Sequence, residues 1–158
     1  LTDGGRADLA YAIVAQKDFP SWGNWIEQGA TTLWEMWNGD SSRNHHMFSD
    51  VSGFFYKTLA GINPDEAAPG FKHTILRPNP VPGLDYAEGW HESPYGVARI
   101  RWEKTAGGLN LDIEVPQGTT ATLILPAEYK EACVNGGSYI LLQNGLKLGI
   151  GIYEVFAK

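Results

Sequence analysis

Glu35 lies between two tryptophans, Trp34 and Trp37, within residues 29–37. Indole rings stack on the apolar C–H face of a pyranose, whereas a carboxylate binds sugar hydroxyls or activates a water molecule. These residue types at this spacing are therefore typical of a site that handles sugars. Composition alone favours a different interpretation, in which the two indoles form one apolar face beside a solvated glutamate.

Asn44, His45 and His46 form a second polar cluster shortly after Glu35, and we expect both to converge on one pocket. A metal site is the alternative reading of two histidines. Adjacent histidines point in different directions on most backbones, and no cysteine or nearby carboxylate completes a zinc ligand set. The sequence therefore predicts neither a metal ion nor a cofactor.

The composition indicates a folded chain of about one domain and disfavours two classes of partner. Of its 158 residues, 43% are hydrophobic and only 19% are charged, as in globular proteins. The net charge of −6 disfavours nucleic acid, because phosphate binding needs a basic patch. No apolar run approaches the roughly eighteen residues that a membrane span needs. The single cysteine, Cys133, cannot form an internal disulfide and has no neighbouring base to activate it.

The first part of the chain has helical periodicity. Apolar residues recur at three- and four-residue spacing over residues 7–14, and a proline suits the first turn of a second helix over residues 20–28. Residues 30–47 lack periodicity and are predicted to be a loop that carries the polar cluster. Ser49 or Asp50 is expected to cap a third helix. The apolar stripe of that helix consists of Val51, Phe54, Phe55, Leu59 and Ile62.

The later part of the chain is predicted to consist of short strands separated by Pro-Gly, Gly-Gly and Asn-Gly turns. About eight such strands favour a two-sheet antiparallel sandwich. The change from helical periodicity to short strands and turns predicts a domain boundary within residues 63–70, and hence domains at 1–63 and 64–158. The predicted strands are 72–77, 84–92, 97–103, 109–115, 120–125, 131–134, 139–142 and 149–156.

Six segments carry a family resemblance, in one order along most of the chain. They are EQGATTLWE at 27–35, NHH at 44–46, AGI at 60–62, APGFK at 68–72, SPYG at 93–96 and PQGTTA at 116–121. Together they resemble glycoside hydrolase family 78, the bacterial α-L-rhamnosidases. No single short pattern carries the likeness, and residues 127–158 add only a continuation of the β region.

The resemblance implies an α+β fold in which the final helices of an (α/α)₆ barrel, residues 1–63, precede a C-terminal antiparallel β-sandwich, residues 64–158. Three predicted helices cannot close such a barrel. The chain also starts without Met, in sequence typical of a helix. We therefore expect a piece of a longer protein, whose missing N-terminal part of the barrel is the principal partner, and no cellular compartment follows from it.

The resemblance also implies a function, the inverting hydrolysis of terminal α-L-rhamnosyl residues from a glycoside or oligosaccharide. By its place in the motif, Glu35 matches the general base of the family, and His45, beside Asn44, matches a residue that contacts the sugar. Trp37 is expected near the sugar and Trp34 beside the site. The general acid is expected outside this chain, so the chain alone should be inactive, because a leaving oxygen without an acid stays unprotonated.

Two alternatives remain open. The first alternative is that the β region is a non-catalytic module, which binds carbohydrate or packs on a neighbouring domain. Trp90, His91 and Tyr95 lie among its predicted strands, whereas Trp102 alternates with Ile100 and is expected in the core. The second alternative is a fragment whose catalytic function has decayed, although the intact motif around the glutamate speaks against it.

Overall fold

The protein folds into two compact units, as the computed structural model of all 158 residues shows. The first unit spans Leu1–Phe54 and the second spans Phe55–Lys158, whereas the composition of the sequence favours a boundary within residues 63–70. None of the helices is both long and apolar enough to cross a membrane. The helices are α1 (Ala7–Val14), α2 (Trp22–Glu27), α3 (Asp50–Phe54) and a π-helix (Phe55–Ala60).

Helices α1 and α2 confirm the helical periodicity of the first part of the chain. The start of α2 differs from the prediction, because Ser21 caps it and its hydroxyl accepts a hydrogen bond from the backbone N–H of Asn24 at 2.9 Å. Pro20 therefore precedes the helix instead of lying in its first turn, and the Phe19–Pro20 peptide bond is cis. Gly29, with φ of 81°, follows the end of the helix, where glycine tolerates a positive φ.

The predicted third helix is shorter than expected, and its apolar stripe does not continue to Ile62. Helix α3 gives way to the π-helix, in which the N–H of Gly61 bonds the carbonyl of Tyr56 at 3.0 Å. The chain then turns at Gly61, whose φ is 86° and whose missing Cβ would lie 2.2 Å from the backbone nitrogen of Pro78. Only glycine fits there, and Ile62 consequently begins a strand and not another helical turn.

The β region forms two sheets. The four-stranded sheet has the order β1-β2-β6-β9, and the six-stranded sheet has the order β3-β4-β5-β10-β7-β8. All pairs are antiparallel except β2 and β6, which run parallel. The eight predicted strands are confirmed, and the structure adds two short strands, β1 and β9, that the sequence did not predict. The strands are β1 (Ile62–Pro64), β2 (His73–Leu76), β3 (Tyr86–Ser93), β4 (Gly96–Thr105), β5 (Gly108–Val115), β6 (Thr120–Leu123), β7 (Glu131–Val134), β8 (Tyr139–Leu141), β9 (Leu146–Leu148) and β10 (Gly151–Ala157).

The two sheets share one hydrophobic core, which confirms the expected two-layer β architecture. Alternate residues of the central strands point into it, as the buried positions of β4 and β5 show. Trp102 is 0% exposed, in agreement with its predicted place in the core. Its indole N–H donates a hydrogen bond to the carbonyl of Leu59 at 2.7 Å, so the largest core side chain is fully satisfied.

Candidate active site

The loop between α2 and α3 folds back on itself and brings Glu35 near His45. The backbone N–H of Glu35 donates to the carbonyl of Ser42 at 2.8 Å. Farther along the same pairing, the N–H of His45 donates to the carbonyl of Leu33 at 2.9 Å. These two bonds pair the segments before and after the turn in antiparallel fashion. The pairing therefore brings the segment that carries Glu35 next to the segment that carries His45, and the convergence of their side chains on one pocket stays a prediction.

Trp34 supports this loop from within the first unit. Its side chain is 3% exposed, and its ring lies 5.6 Å from that of Trp25 and 4.6 Å from the guanidinium carbon of Arg43. Gly39, in the turn of the loop, has φ of 75°, and a Cβ there would lie 2.8 Å from the Trp34 ring. The turn thus rests directly on the indole, which leaves Trp34 no open face for a ligand.

Trp37 joins an aromatic cluster that anchors the other side of the loop. Its ring lies 4.5 Å from Trp25 and 4.3 Å from Phe48, and Trp22 approaches it edge-on at 5.2 Å. The indole N–H of Trp25 also donates to the Trp37 carbonyl at 2.8 Å. Trp37 remains partly exposed, whereas Trp25 is 2% exposed. Aromatic pairs in such geometry stabilise one another beyond their buried area, so the cluster holds the loop in one conformation.

The carboxylate of Glu35 is bonded on one oxygen and open on the other. The Ser41 hydroxyl donates to Oε2 at 2.5 Å, and the Ser42 backbone N–H donates to the same oxygen at 3.2 Å. The Ser41 hydroxyl, and after it the Ser42 amide, lower the pKa of Glu35. Desolvation opposes them, and the electrostatic effect of His45, the smallest of the four, also lowers it. Glu35 is therefore ionised at neutral pH, with Oε1 available to accept a proton.

His45 has a defined hydrogen-bond role. Its Nδ1 accepts from the backbone N–H of Met47 at 3.1 Å, so the neutral imidazole carries its hydrogen on Nε2. The ring stacks on His46, with centroids 5.0 Å apart and planes at 9°. The side chain of Asn44 is exposed, and its backbone N–H bonds the Ser42 hydroxyl at 3.3 Å. No three His, Cys, Asp or Glu side chains come close enough together to hold a metal ion.

The residues that hold the carboxylate of Glu35 were not among the candidates that the sequence offered. Ser41 and Ser42 hold the carboxylate, and Gly39 permits the turn that brings them back to it. Two serines shortly after a glycine were the only sequence signal for this arrangement. Glu27, the other nearby carboxylate in the motif, forms an exposed ion pair with Lys17 at 3.2 Å.

Two family models match this chain, and they meet at residues 59–61, a few residues after the boundary between its two compact units. A family model described as the bacterial alpha-L-rhamnosidase 6 hairpin glycosidase domain matches residues 1–59. A second model, the bacterial alpha-L-rhamnosidase C-terminal domain, matches residues 61–139. The first match contains the whole loop that carries the carboxylate and the histidine, and the second contains most of the two sheets.

Individual relatives match nearly the whole chain. The α-L-rhamnosidase of Streptomyces avermitilis is 32% identical over 157 residues, which is 92% of this chain and 15% of that protein. That of Alteromonas sp. (strain LOR) is 33% identical over 162 residues, 94% of this chain and 17% of that protein. A crystal structure of the Streptomyces avermitilis enzyme complexed with L-rhamnose superimposes with a TM-score of 0.88 and 30% identity, over 100% of this chain and 17% of that one. The chain thus spans less than a fifth of the length of these relatives.

Proposed function

This chain belongs to the bacterial α-L-rhamnosidase family, and on that premise we propose that it forms the C-terminal part of a glycoside hydrolase that removes terminal α-L-rhamnosyl residues. Residues of the first unit contribute the general base and part of the sugar pocket. The rest of the barrel contributes the general acid. The second unit is the β-sandwich that follows the barrel.

Glu35 is the proposed general base of an inverting reaction. Its Oε1 accepts a proton from a water molecule as the water oxygen bonds the anomeric carbon and the glycosidic C–O bond breaks. The leaving oxygen takes a proton from an acid on the opposite face of the sugar, about 6.5–9.5 Å from the base in inverting enzymes. Support comes from the asymmetric environment of the carboxylate, with Oε2 held by Ser41 and Ser42 and Oε1 open.

The neighbouring side chains bind and orient the sugar. Because Nδ1 of His45 is occupied by the Met47 amide, its Nε2–H is the group that donates to a sugar hydroxyl. Asn44 is exposed beside it and offers an amide to a second hydroxyl. Trp37 is partly exposed and flanks the sugar, whereas the buried Trp34 acts by holding the loop.

A single substitution tests the proposal. In the full-length protein, Glu35→Gln keeps the shape of the side chain but removes its basicity, so turnover of an aryl α-L-rhamnoside should fall by about 10²–10⁴-fold. L-rhamnose affinity and thermal stability should stay near those of the parent. Glu27→Gln is the matched control, because Glu27 belongs to the same motif but is paired with Lys17, and it should keep its activity. Near-normal turnover in Glu35→Gln would remove the assignment.

A further inference from the structure

The outer face of the six-stranded sheet carries a row of polar and aromatic side chains. The strand register sets Trp90 of β3 opposite Arg99 of β4, and Arg99 opposite Glu114 of β5. Their neighbours along the strands, such as Ala98 and Ile113, are buried in the core. Since successive side chains alternate between faces, the row faces away from the core.

This row lines a cleft of about 380 Å³, which lies entirely in the second unit. Small-molecule sites commonly have volumes of about 300–1,000 Å³, so the cleft is large enough for one ring of a ligand. Trp90 is 51% exposed. The lining residues are Glu88, Trp90, Val97, Arg99 and Glu114.

Trp90 differs from the other exposed aromatics of the sheet, because its ring is uncovered. A cation covers each of three tyrosines: Arg101 lies 5.4 Å from the centre of the Tyr86 ring, for example. Trp90 takes part in no aromatic or cation–π contact, and no hydrogen bond engages its indole nitrogen. The other two covered rings are those of Tyr95, beneath Lys72, and Tyr139, beneath Lys158.

We propose that this cleft is a binding subsite for a neutral pyranose unit of a glycan. An open indole beside carboxylates suits a sugar ring, whose C–H face stacks on the indole while its hydroxyls donate to carboxylate oxygens. Arg99 forms an ion pair with Glu88, so the guanidinium is already neutralised and does not attract an anion. Glu114 adds a second carboxylate, which repels phosphates and acidic sugars.

The subsite is independent of the proposed catalytic role of Glu35. Every residue that lines the cleft belongs to β3, β4 or β5, whereas Glu35 belongs to the first unit. Its function is to retain the protein on a glycan. The proposal is therefore tested by measuring how strongly the full-length protein is retained on glycans, and no measurement of turnover is needed.

The experiment compares retention of the full-length protein on an array of neutral glycans. The parent should bind at least one glycan, and Trp90→Ala should weaken that binding by about tenfold, which corresponds to the loss of about 1.4 kcal/mol. Tyr86→Ala is the matched control, since Tyr86 is an exposed aromatic on the same face of the same strand outside the cleft. It should bind as the parent does.

Glu114→Gln provides a second variant that keeps the side-chain volume. It should also weaken retention, because an amide accepts hydroxyl protons less strongly than a carboxylate. Three results would overturn the proposal: no neutral glycan retained by the parent, equal losses in Trp90→Ala and Tyr86→Ala, or full retention in both cleft variants. A fourth result would show that protein covers this face instead. In that result the melting temperature falls strongly in Trp90→Ala but not in Tyr86→Ala, and Glu114→Gln keeps its retention.

Discussion

The Ser41 hydroxyl donates a hydrogen bond to Oε2 of Glu35 at 2.5 Å, across the turn of the loop between α2 and α3. This bond is the largest cause of the lowered pKa of Glu35, ahead of the bond from the Ser42 amide. A hydrogen bond to the ionised form favours ionisation. The carboxylate is therefore kept charged to lower pH than an ordinary glutamate, while its second oxygen stays open.

Removal of the Ser41 hydroxyl should move the acidic limb of the pH–rate profile. Without the bond, Ser41→Ala should raise the pKa of Glu35 towards its ordinary value, so kcat/KM for an aryl α-L-rhamnoside should begin to fall at a higher pH than in the parent. Ser42→Ala is the control, because Ser42 reaches Glu35 through its backbone amide and keeps that bond. An acidic limb that does not move in Ser41→Ala would mean that Glu35 does not control it.

Loss of the His45 imidazole should affect sugar binding more than the chemical step. One neutral hydrogen bond contributes about 0.5–1.5 kcal/mol, so His45→Ala should raise KM by up to about tenfold with a smaller fall in kcat. Steady-state kinetics on an aryl α-L-rhamnoside measure both. His46→Ala should have the weaker effect, since His46 is exposed and stacks only against His45. Equal effects of the two substitutions would contradict the role of Nε2.

A methyl group at Gly39 should destabilise the loop more than one at Gly29. Both glycines have positive φ, 75° and 81°, so Gly→Ala costs backbone strain at each. Only at Gly39 does the new Cβ meet a neighbour, the Trp34 ring at 2.8 Å, whereas nothing lies within 4 Å at Gly29. Overpacking of this kind costs about 1–3 kcal/mol.

The two glycine variants share the backbone strain, so the difference between their melting temperatures in the full-length protein measures the cost of the clash. Gly39→Ala should melt several degrees below Gly29→Ala and should also lose rhamnosidase activity, because the turn positions Ser41 against Glu35. Identical melting temperatures would show that the Trp34 ring yields without cost.

Truncation of Trp102 should destabilise the sandwich. Trp102→Phe removes buried volume and leaves the carbonyl of Leu59 without its donor, which together should cost about 2–4 kcal/mol. The unfolding transition should therefore shift to lower denaturant concentration. Trp90→Phe is the control, because Trp90 is half exposed and its indole N–H makes no hydrogen bond, and it should unfold like the parent. Comparable losses in both variants would contradict the place of Trp102 in the core.

Local patterns in the sequence determined the elements and the candidate chemistry. Alternation over Leu109–Val115 has a period of two, and it predicted β5 because such a pattern buries one face of a strand whatever the strand pairs with. The resemblance to the rhamnosidase family, carried by six segments along the chain, singled out the carboxylate of Glu35 and His45 without knowledge of their contacts. Each of these conclusions depends on residue types and their order along the chain, which the sequence displays directly.

Only the tertiary structure decided how distant residues meet. The parallel pairing of β2 with β6 joins Thr74 to Ala121, and the end of the helix before Ile62 depends on the approach of Pro78 to Gly61. A turn of the loop brings the Ser41 hydroxyl to Glu35, and strand register places Trp90 and Glu114 on either side of Arg99 in one cleft. Register and loop closure are set by the summed free energy of many long-range contacts, and no local period in the sequence encodes that sum.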